Sequence, residues 1–404
     1  MISENMFQKT LEVRSTSIWE HFEDTEIFAL DLPSKERGYI AFFSEREVSG
    51  IGIYRGASGL SSYMAPFLKT HSDHYYTYIT LQQRLLEICF LNVDDPSLIN
   101  SEVIKDIEAY ERYTGHSLEE GEYLPRLVRM EPFRTPMSIA SPSDEADLLA
   151  VMDVVLYLAR HLSPYGYVPR AKQAVGIYPR ALFTSHNIPL FRKKDDKYSI
   201  SMIHVPVPKD FFYKPALPPE DLLAYLRQQK GSPLNDMTVA LRVTDEPFAS
   251  FDTLSNGIYP PILMQLKKNP NSINAPIVTT SVDERGLDLL LGDFCESLVD
   301  HGKPETIYYG EESANAFLRE FCESAGINLK EDDSAIRLID IAFGKLMEKL
   351  LNESPEQLKH DYDMYMNMSN EELHRLSPQV RKFLLDNYEY LPERLQKNLK
   401  RLIS

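Results

Sequence analysis

The period of the apolar positions changes several times along the chain, and each change marks an element. Residues 17–23 read as a short helix carrying Trp19. Three strands follow at residues 26–32, 38–44 (GYIAFFS) and 50–54 (GIGIY). Turn-prone Pro33-Ser34-Lys35 and charged Glu45-Arg46-Glu47 separate them, which predicts an antiparallel meander. Leu60, Tyr63, Met64 and Phe67 then recur at helical spacing over residues 58–69.

Residues 84–92 (RLLEICFLN) predict a strand, and residues 101–113 a helix stopped by Gly115. Three prolines interrupt residues 124–139, so an extended edge or loop is expected there. Residues 143–162 predict a helix with Ser143 as its N-cap and acidic residues in its first turn. Prolines and aromatics crowd residues 163–219, with one strand at 198–207; this reads as an elaborated connection with a domain boundary near Pro218-Pro219. A helix at 220–229 and a strand at 237–243 come next.

The clearest internal order lies in residues 275–329. Pro276-Ile277-Val278-Thr279-Thr280 starts a strand followed by a helix, and Pro304-Glu305-Thr306-Ile307-Tyr308-Tyr309 starts a second such unit. Asp293-Phe294-Cys295-Glu296-Ser297 in the first unit recurs as Glu320-Phe321-Cys322-Glu323-Ser324 in the second. Two strand–helix units in tandem imply adjacent parallel strands with their helices on one sheet face. After Leu350 the pattern is helical. Ser354-Pro355-Glu356-Gln357 and Ser369-Asn370-Glu371-Glu372 fit capping boxes, and Leu376, Val380 and Leu384 are echoed by Leu391, Leu395 and Leu399.

Composition narrows the class. The 404 residues exceed one ordinary core, and 43% apolar and 11% aromatic residues imply that most of the chain folds. A formal net charge of -17 repels a phosphate backbone, so nucleic acid is disfavoured as a partner. No apolar run reaches the length of a membrane span or a secretory core, which points to the cytoplasm. Three cysteines, Cys89, Cys295 and Cys322, make neither a disulfide framework nor a thiolate metal site.

Few residues qualify for chemistry. Tyr54-Arg55-Gly56-Ala57-Ser58-Gly59-Leu60 joins a strand to a helix, and the N–H groups of such a turn can bind an anion. Arg55, Gly56, Ser58 and Gly59 form that candidate site, set against a plain tight turn with Ser58 as a cap. His71-Ser72-Asp73-His74 lacks a third metal ligand and reads as a solvated loop. Asp144-Glu145-Ala146-Asp147 is explained by the helix dipole, and Arg192-Lys193-Lys194 by a solvated turn. Cys295 and Cys322 read as buried packing residues. No catalytic, metal or cofactor signature is found, and no cofactor is expected.

Several segments together resemble an uncharacterised bacterial family, a domain of unknown function. They are GYIAFF, GIGIYRGASGL, LLEICF, IEAYERYTGHSL, PRLVRMEPFRTP, SNGIYPPIL, PIVTTSVDERGLDLLL and KPETIYYGEESANAFLREFCESAGI, spread over residues 15–330. The resemblance implies a fold and no reaction, ligand or site residue. Residues 132–137 read PFRTPM where the family has an aromatic-rich segment with tryptophan, and the tail after Leu350 looks added.

The expected fold is α+β: an antiparallel-rich N-terminal sheet domain over residues 1–218, a second domain with tandem βα units over 219–350, and a helical tail over 351–404. The expected function is a non-catalytic binding or adaptor role, with a protein partner engaged through the C-terminal helices. The competing readings are an enzyme or sensor taking a phosphate- or carboxylate-bearing small molecule at Arg55, and an accessory factor of a mobile-element or defence system. In the tail, Leu395, Leu399 and Leu402 form a stripe flanked by Arg394, Lys397, Lys400 and Arg401, which suits a partner groove or the acidic body itself.

Overall fold

The computed structural model describes residues 4–44, 48–67, 73–93, 101–118, 122–139, 141–162, 164, 169–194, 197–208, 211–212, 214–244, 247–249, 257–268, 271–273, 277–278 and 284–352. The tail beyond Asn352, and His71 with the His74 side chain, lie outside the described residues. Among the described residues two large β-sheets with helices on both faces make up the body, with a third, two-stranded sheet, so the α+β expectation holds.

The N-terminal part runs α1 (Glu4–Arg14), β1 (Phe28–Asp31), β2 (Arg37–Ser44), β3 (Val48–Arg55), α2 (Gly56–Met64), α3 (Asp73–Leu81), β4 (Leu85–Asn92), α4 (Ser101–Thr114), β5 (Tyr123–Met130), β6 (Met137–Ser138) and α5 (Pro142–Leu162). Then come α6 (Pro169–Ala174), α7 (Ala181–Thr184), β7 (Asn187–Lys194) and β8 (Lys197–His204). Among the described residues the first sheet has eight strands in the order β6-β5-β4-β3-β2-β1-β7-β8. Every neighbouring pair is antiparallel except β1 with β7.

Strand alternation sends Phe28, Ile40, Phe42, Ile51, Ile53, Ile88, Phe90 and Leu127 to one face, where α5 covers them with Leu148, Val151, Val155 and Leu158. Trp19 stacks on Phe90 at 4.4 Å in the same core. On the opposite face α2 and α7 cover Ala29, Tyr39, Ala41, Ile188 and Leu190.

Two readings need correction and one is settled. Residues 124–139 were expected as an extended edge or loop, and the edge alternative holds: β5 pairs with β4 along its whole length. Pro125 is tolerated because β6 covers β5 only at Val128 and Arg129, which leaves β5 an edge at the proline. The cap of α5 is Ser141, whose hydroxyl accepts from Ser143 N–H at 3.1 Å and Asp144 N–H at 3.3 Å, with Pro142 as the first helical residue. Arg192-Lys193-Lys194 ends strand β7 rather than forming a turn, and β7 itself went unread because Pro189 breaks its pattern.

The second part adds α8 (Glu220–Gln228), β9 (Met237–Val243), β10 (Phe248–Ala249), β11 (Gly257–Ile258), β12 (Pro261–Lys268), β13 (Asn271–Ile273), β14 (Ile277–Val278), α9 (Glu284–His301), β15 (Thr306–Tyr309), α10 (Glu312–Ala325), β16 (Asn328–Glu331) and α11 (Ile336–Asn352). Its main sheet has the order β13-β12-β9-β15-β16, with β14 also on β12. Helices α8, α9 and α10 cover one face through Leu223, Leu291, Phe294, Phe317 and Phe321; α11 covers the other through Ile339, Phe343 and Met347. Tyr78 and Ile79 of α3 and Phe133 after β5 also enter this second core.

The repeat is right about the helices and wrong about the strands. Phe294 and Phe321 meet edge to face at 5.9 Å, with Cys295 and Cys322 buried in the same core. But β14 pairs antiparallel with β12, and β12 and β9 separate it from β15. The apolar strand β12, absent from the sequence reading, lies between β9 and the short strands β13 and β14. The true parallel crossover is β15–α10–β16, in register from Thr306↔Asn328 to Tyr309↔Glu331.

Candidate functional site

The strand runs into the helix as the sequence implied, but the helix starts earlier than residue 58: Arg55 ends β3 and stands at the N-cap of α2. Gly56 has φ +62, a conformation glycine adopts without strain. Gly59 lies flat on Tyr54: an added Cβ would come within 2.6 Å of the Tyr54 carbonyl carbon. Ser58 is exposed and makes no capping bond, so its expected role as a cap is not seen.

The Arg55 guanidinium does not wait for an anion. Nη1 donates to Asp144 Oδ1 at 2.6 Å and to Asp147 Oδ2 at 3.4 Å, both buried on the first turns of α5. Asp147 Oδ1 also accepts the Ser34 N–H at 3.0 Å. Asp144 Oδ2 accepts from Arg129 Nη1 at 3.3 Å, Arg129 Nε reaches Glu131 Oε1 at 2.6 Å, and Glu131 Oε2 accepts from Arg84 Nε at 3.2 Å. Burial opposes the Arg129 charge, but its bonds and charge contacts with Glu131 and Asp144 outweigh that and raise its pKa. Three arginines and three carboxylates thus alternate along one line. It ties the ends of β3 and β5 and the start of β4 to α5. The acidic turn of α5 therefore does more than answer a helix dipole. An incoming anion at α2 would face two buried carboxylates at short range, which opposes its binding.

Glu87 and Cys89 lie on the opposite face of the same sheet. Glu87 is opposite Gly52, and Cys89 is opposite Gly50 on one side and Arg126 on the other. Arg126 Nε is held by Asp106 Oδ2 of α4 at 2.6 Å. Although Glu87 keeps some solvent contact, burial pushes its carboxyl up to about 7, against the opposing pull of the Cys89 hydrogen bond and the Arg126 charge. Burial, then Glu87, pushes the Cys89 thiol well above its ordinary value. Such a thiol is a poor nucleophile, and the pair is suited to holding a proton. The only sequence signal was an acid in the middle of the apolar run LLEICFL.

This raised value has a measurable sign. Glu87 binds its proton more tightly in the folded chain than at the ordinary 4.5. Its contribution to stability is therefore full below about pH 4.5 and is lost as pH rises toward 7. Glu87→Gln is expected to stabilise the chain by about 2 kcal/mol at pH 8, allowing for partial exposure, and to change little at pH 4.5. Urea melts of both proteins at the two pH values check this; an equal effect at both would show that Glu87 does not titrate there.

Burial, with Glu296 and Glu323 adding to it, pushes Cys295 up to about 11 and Cys322 up to about 12, which agrees with packing roles. A third polar cluster was not foreseen. Arg242, next to last in the apolar strand MTVALRV, is fully buried. It bonds Glu311 Oε2 at 2.6 Å through Nη1, and Asp340 Oδ1 through Nε at 3.0 Å and Nη2 at 2.6 Å. No group of three or more metal-ligating side chains is placed to hold an ion among the described residues.

Residues 4–153 match the model of a family described as Domain of unknown function (DUF7309). The match takes in β1 to β6 and half of α5, and so contains Arg55, Glu87, Arg129, Asp144 and Asp147. It stops short of the 15–330 span implied by the resemblance. No curated protein and no solved structure matches the chain. No described helix is long and apolar enough to cross a membrane.

Proposed function

We propose that this chain is a cytoplasmic, non-catalytic binding protein whose docking surface is the β8 edge of its first sheet, which has no further strand among the described residues. The observation that carries this reading is β8. It is an eight-residue strand at the end of the sheet order, and its Ile200 and Met202 are exposed. The other sheet ends are blunted in the usual way: β6 has two residues, β13 three, and β16 four with Lys330 and Glu331 in it. In contrast, β8 has no proline and only Lys197, at its first position, as a charged guard.

The occupant that fits is an extended segment of another protein, added as a further strand. Tyr198, Ile200 and Met202 line one side of β8, and Ser199 and Ser201 the other, as the register with β7 requires. The partner must then alternate apolar and small polar residues, with main-chain bonds giving affinity and the apolar pockets specificity. The three free, buried cysteines fit a reducing compartment.

The test uses the full chain with a photo-crosslinking phenylalanine in place of Ser199, alongside Ile200→Lys. The expected result is a crosslink to one extended segment of a partner, lost with Ile200→Lys while the melt is unchanged. Crosslinks that persist in Ile200→Lys, or none at all, would overturn the reading.

A further inference from the structure

The segment of another protein that β8 takes is, we infer, β8 of a second copy of this chain, the two strands pairing antiparallel about a two-fold axis through Ile200. The inference rests on β8 being the docking edge and adds the identity of what docks. An axis perpendicular to the sheet keeps the faces of the two copies aligned. Residues directly opposite each other then come from the same face, so their numbers sum to an even value. The register centred on Ile200 sets Tyr198 against Met202, Ile200 against Ile200 and Ser199 against Ser201. The alternation required of a partner is thus the alternation of β8 itself. Sliding two residues one way puts Tyr198 opposite His204 and Ser199 opposite Ile203. Sliding two the other way leaves only residues 197–201 of the strand paired.

The surroundings of β8 suit this pairing. Tyr198 is braced by Tyr157 of α5, ring to ring at 4.9 Å, so it is already held at the edge. Met202 sits over Gly176, where an added Cβ would come within 2.7 Å of its sulfur. Apolar cross-strand pairs stabilise a sheet, and a thioether against an aromatic ring adds to this. Lys197 falls opposite Ile203, where its stem covers apolar surface while the ammonium stays in water. The two Lys197 side chains are six residues apart along the strand direction. At ~3.4 Å per residue that is about 20 Å, beyond the screening length of about 8 Å. Parallel pairing would instead set these lysines side by side. An eight-residue edge is about 27 Å long, a small interface, so the dimer dissociates on dilution.

Sedimentation of the full chain over a wide concentration range is expected to show this reversible dimer. Ile200→Lys sets two like charges on the axis and is expected to weaken it roughly tenfold or more, with the melt unchanged. The register is read with thiols: Ser199→Cys and Ser201→Cys are made separately, and Cys89, Cys295 and Cys322 are buried and do not compete. On oxidation a mixture of the two variants is expected to link into dimers far better than either alone, because position 199 faces position 201 and not itself. A mixture that links no better than the single variants would overturn the pairing. A chain monomeric at every concentration, with its position-199 photo-crosslink on a different protein, would overturn the second copy and leave β8 as the docking edge. A monomeric chain with no crosslink at β8 would overturn both.

Discussion

Arg242→Ala is expected to be among the most destabilising single substitutions in the second sheet, at about 3–5 kcal/mol. The side chain is wholly buried on β9, and its partners come from two different helices: Glu311 stands at the start of α10, and Asp340 lies on α11. Nη1 also donates to the Leu241 carbonyl at 2.7 Å. Removing the cation leaves Glu311, also fully buried, with its charge uncompensated by Arg242, and leaves a void under α11. The size of the loss comes from this asymmetry rather than from the ion pair itself. Burying both ions costs much of what their attraction returns, so replacing the set by apolar groups is far milder. Arg242→Met combined with Glu311→Leu is therefore expected to recover most of the loss. Urea denaturation of the three proteins measures both effects. If the single and double variants were equally unstable, the lost ion pairs themselves, and not the stranded charge, would be the cause.

The same residue shows what a sequence hides. The meander from β1 to β3 and the strand β4 are legible because apolar runs there are bounded by turn residues and charges, although both of their faces are buried. A lone Arg in MTVALRV or a lone Glu in LLEICFL interrupts such a run, but the interruption does not say what answers it. Asp340 lies 98 positions from Arg242, and Asp144 lies 89 from Arg55. Partners that distant are set by which helix crosses which strand, and no local pattern encodes that. The strand order failed for the same reason. The duplicated Phe-Cys-Glu-Ser correctly matched two helix surfaces, because packing of i and i+4 positions is local. Which strand lies beside β15 depends on β9 and β12, which the repeat does not contain.

Arg55→Ala is expected to cost about 3 kcal/mol, somewhat less than the loss of Arg242. Arg129 still reaches Asp144 in the variant, and the Ser34 N–H still serves Asp147, so neither carboxylate is wholly abandoned. The informative comparison concerns anions. In the wild-type chain, inorganic phosphate is expected to give no Arg55-dependent rise in melting temperature, because the guanidinium is already neutralised by two buried carboxylates. Asp144→Asn with Asp147→Asn removes that neutralisation while keeping the shape of both side chains. The cation then stands beside the first N–H groups of α2, an arrangement that favours an anion. Phosphate is expected to stabilise this double variant and to stop doing so once Arg55→Ala is added. The opposite pattern, wild-type stabilisation by phosphate that Arg55→Ala abolishes, would mean that the carboxylates position Arg55 for a ligand instead of consuming its charge. The clamp would then be the inner wall of a binding site, and the β8 edge would lose its standing as the surface on which this protein acts.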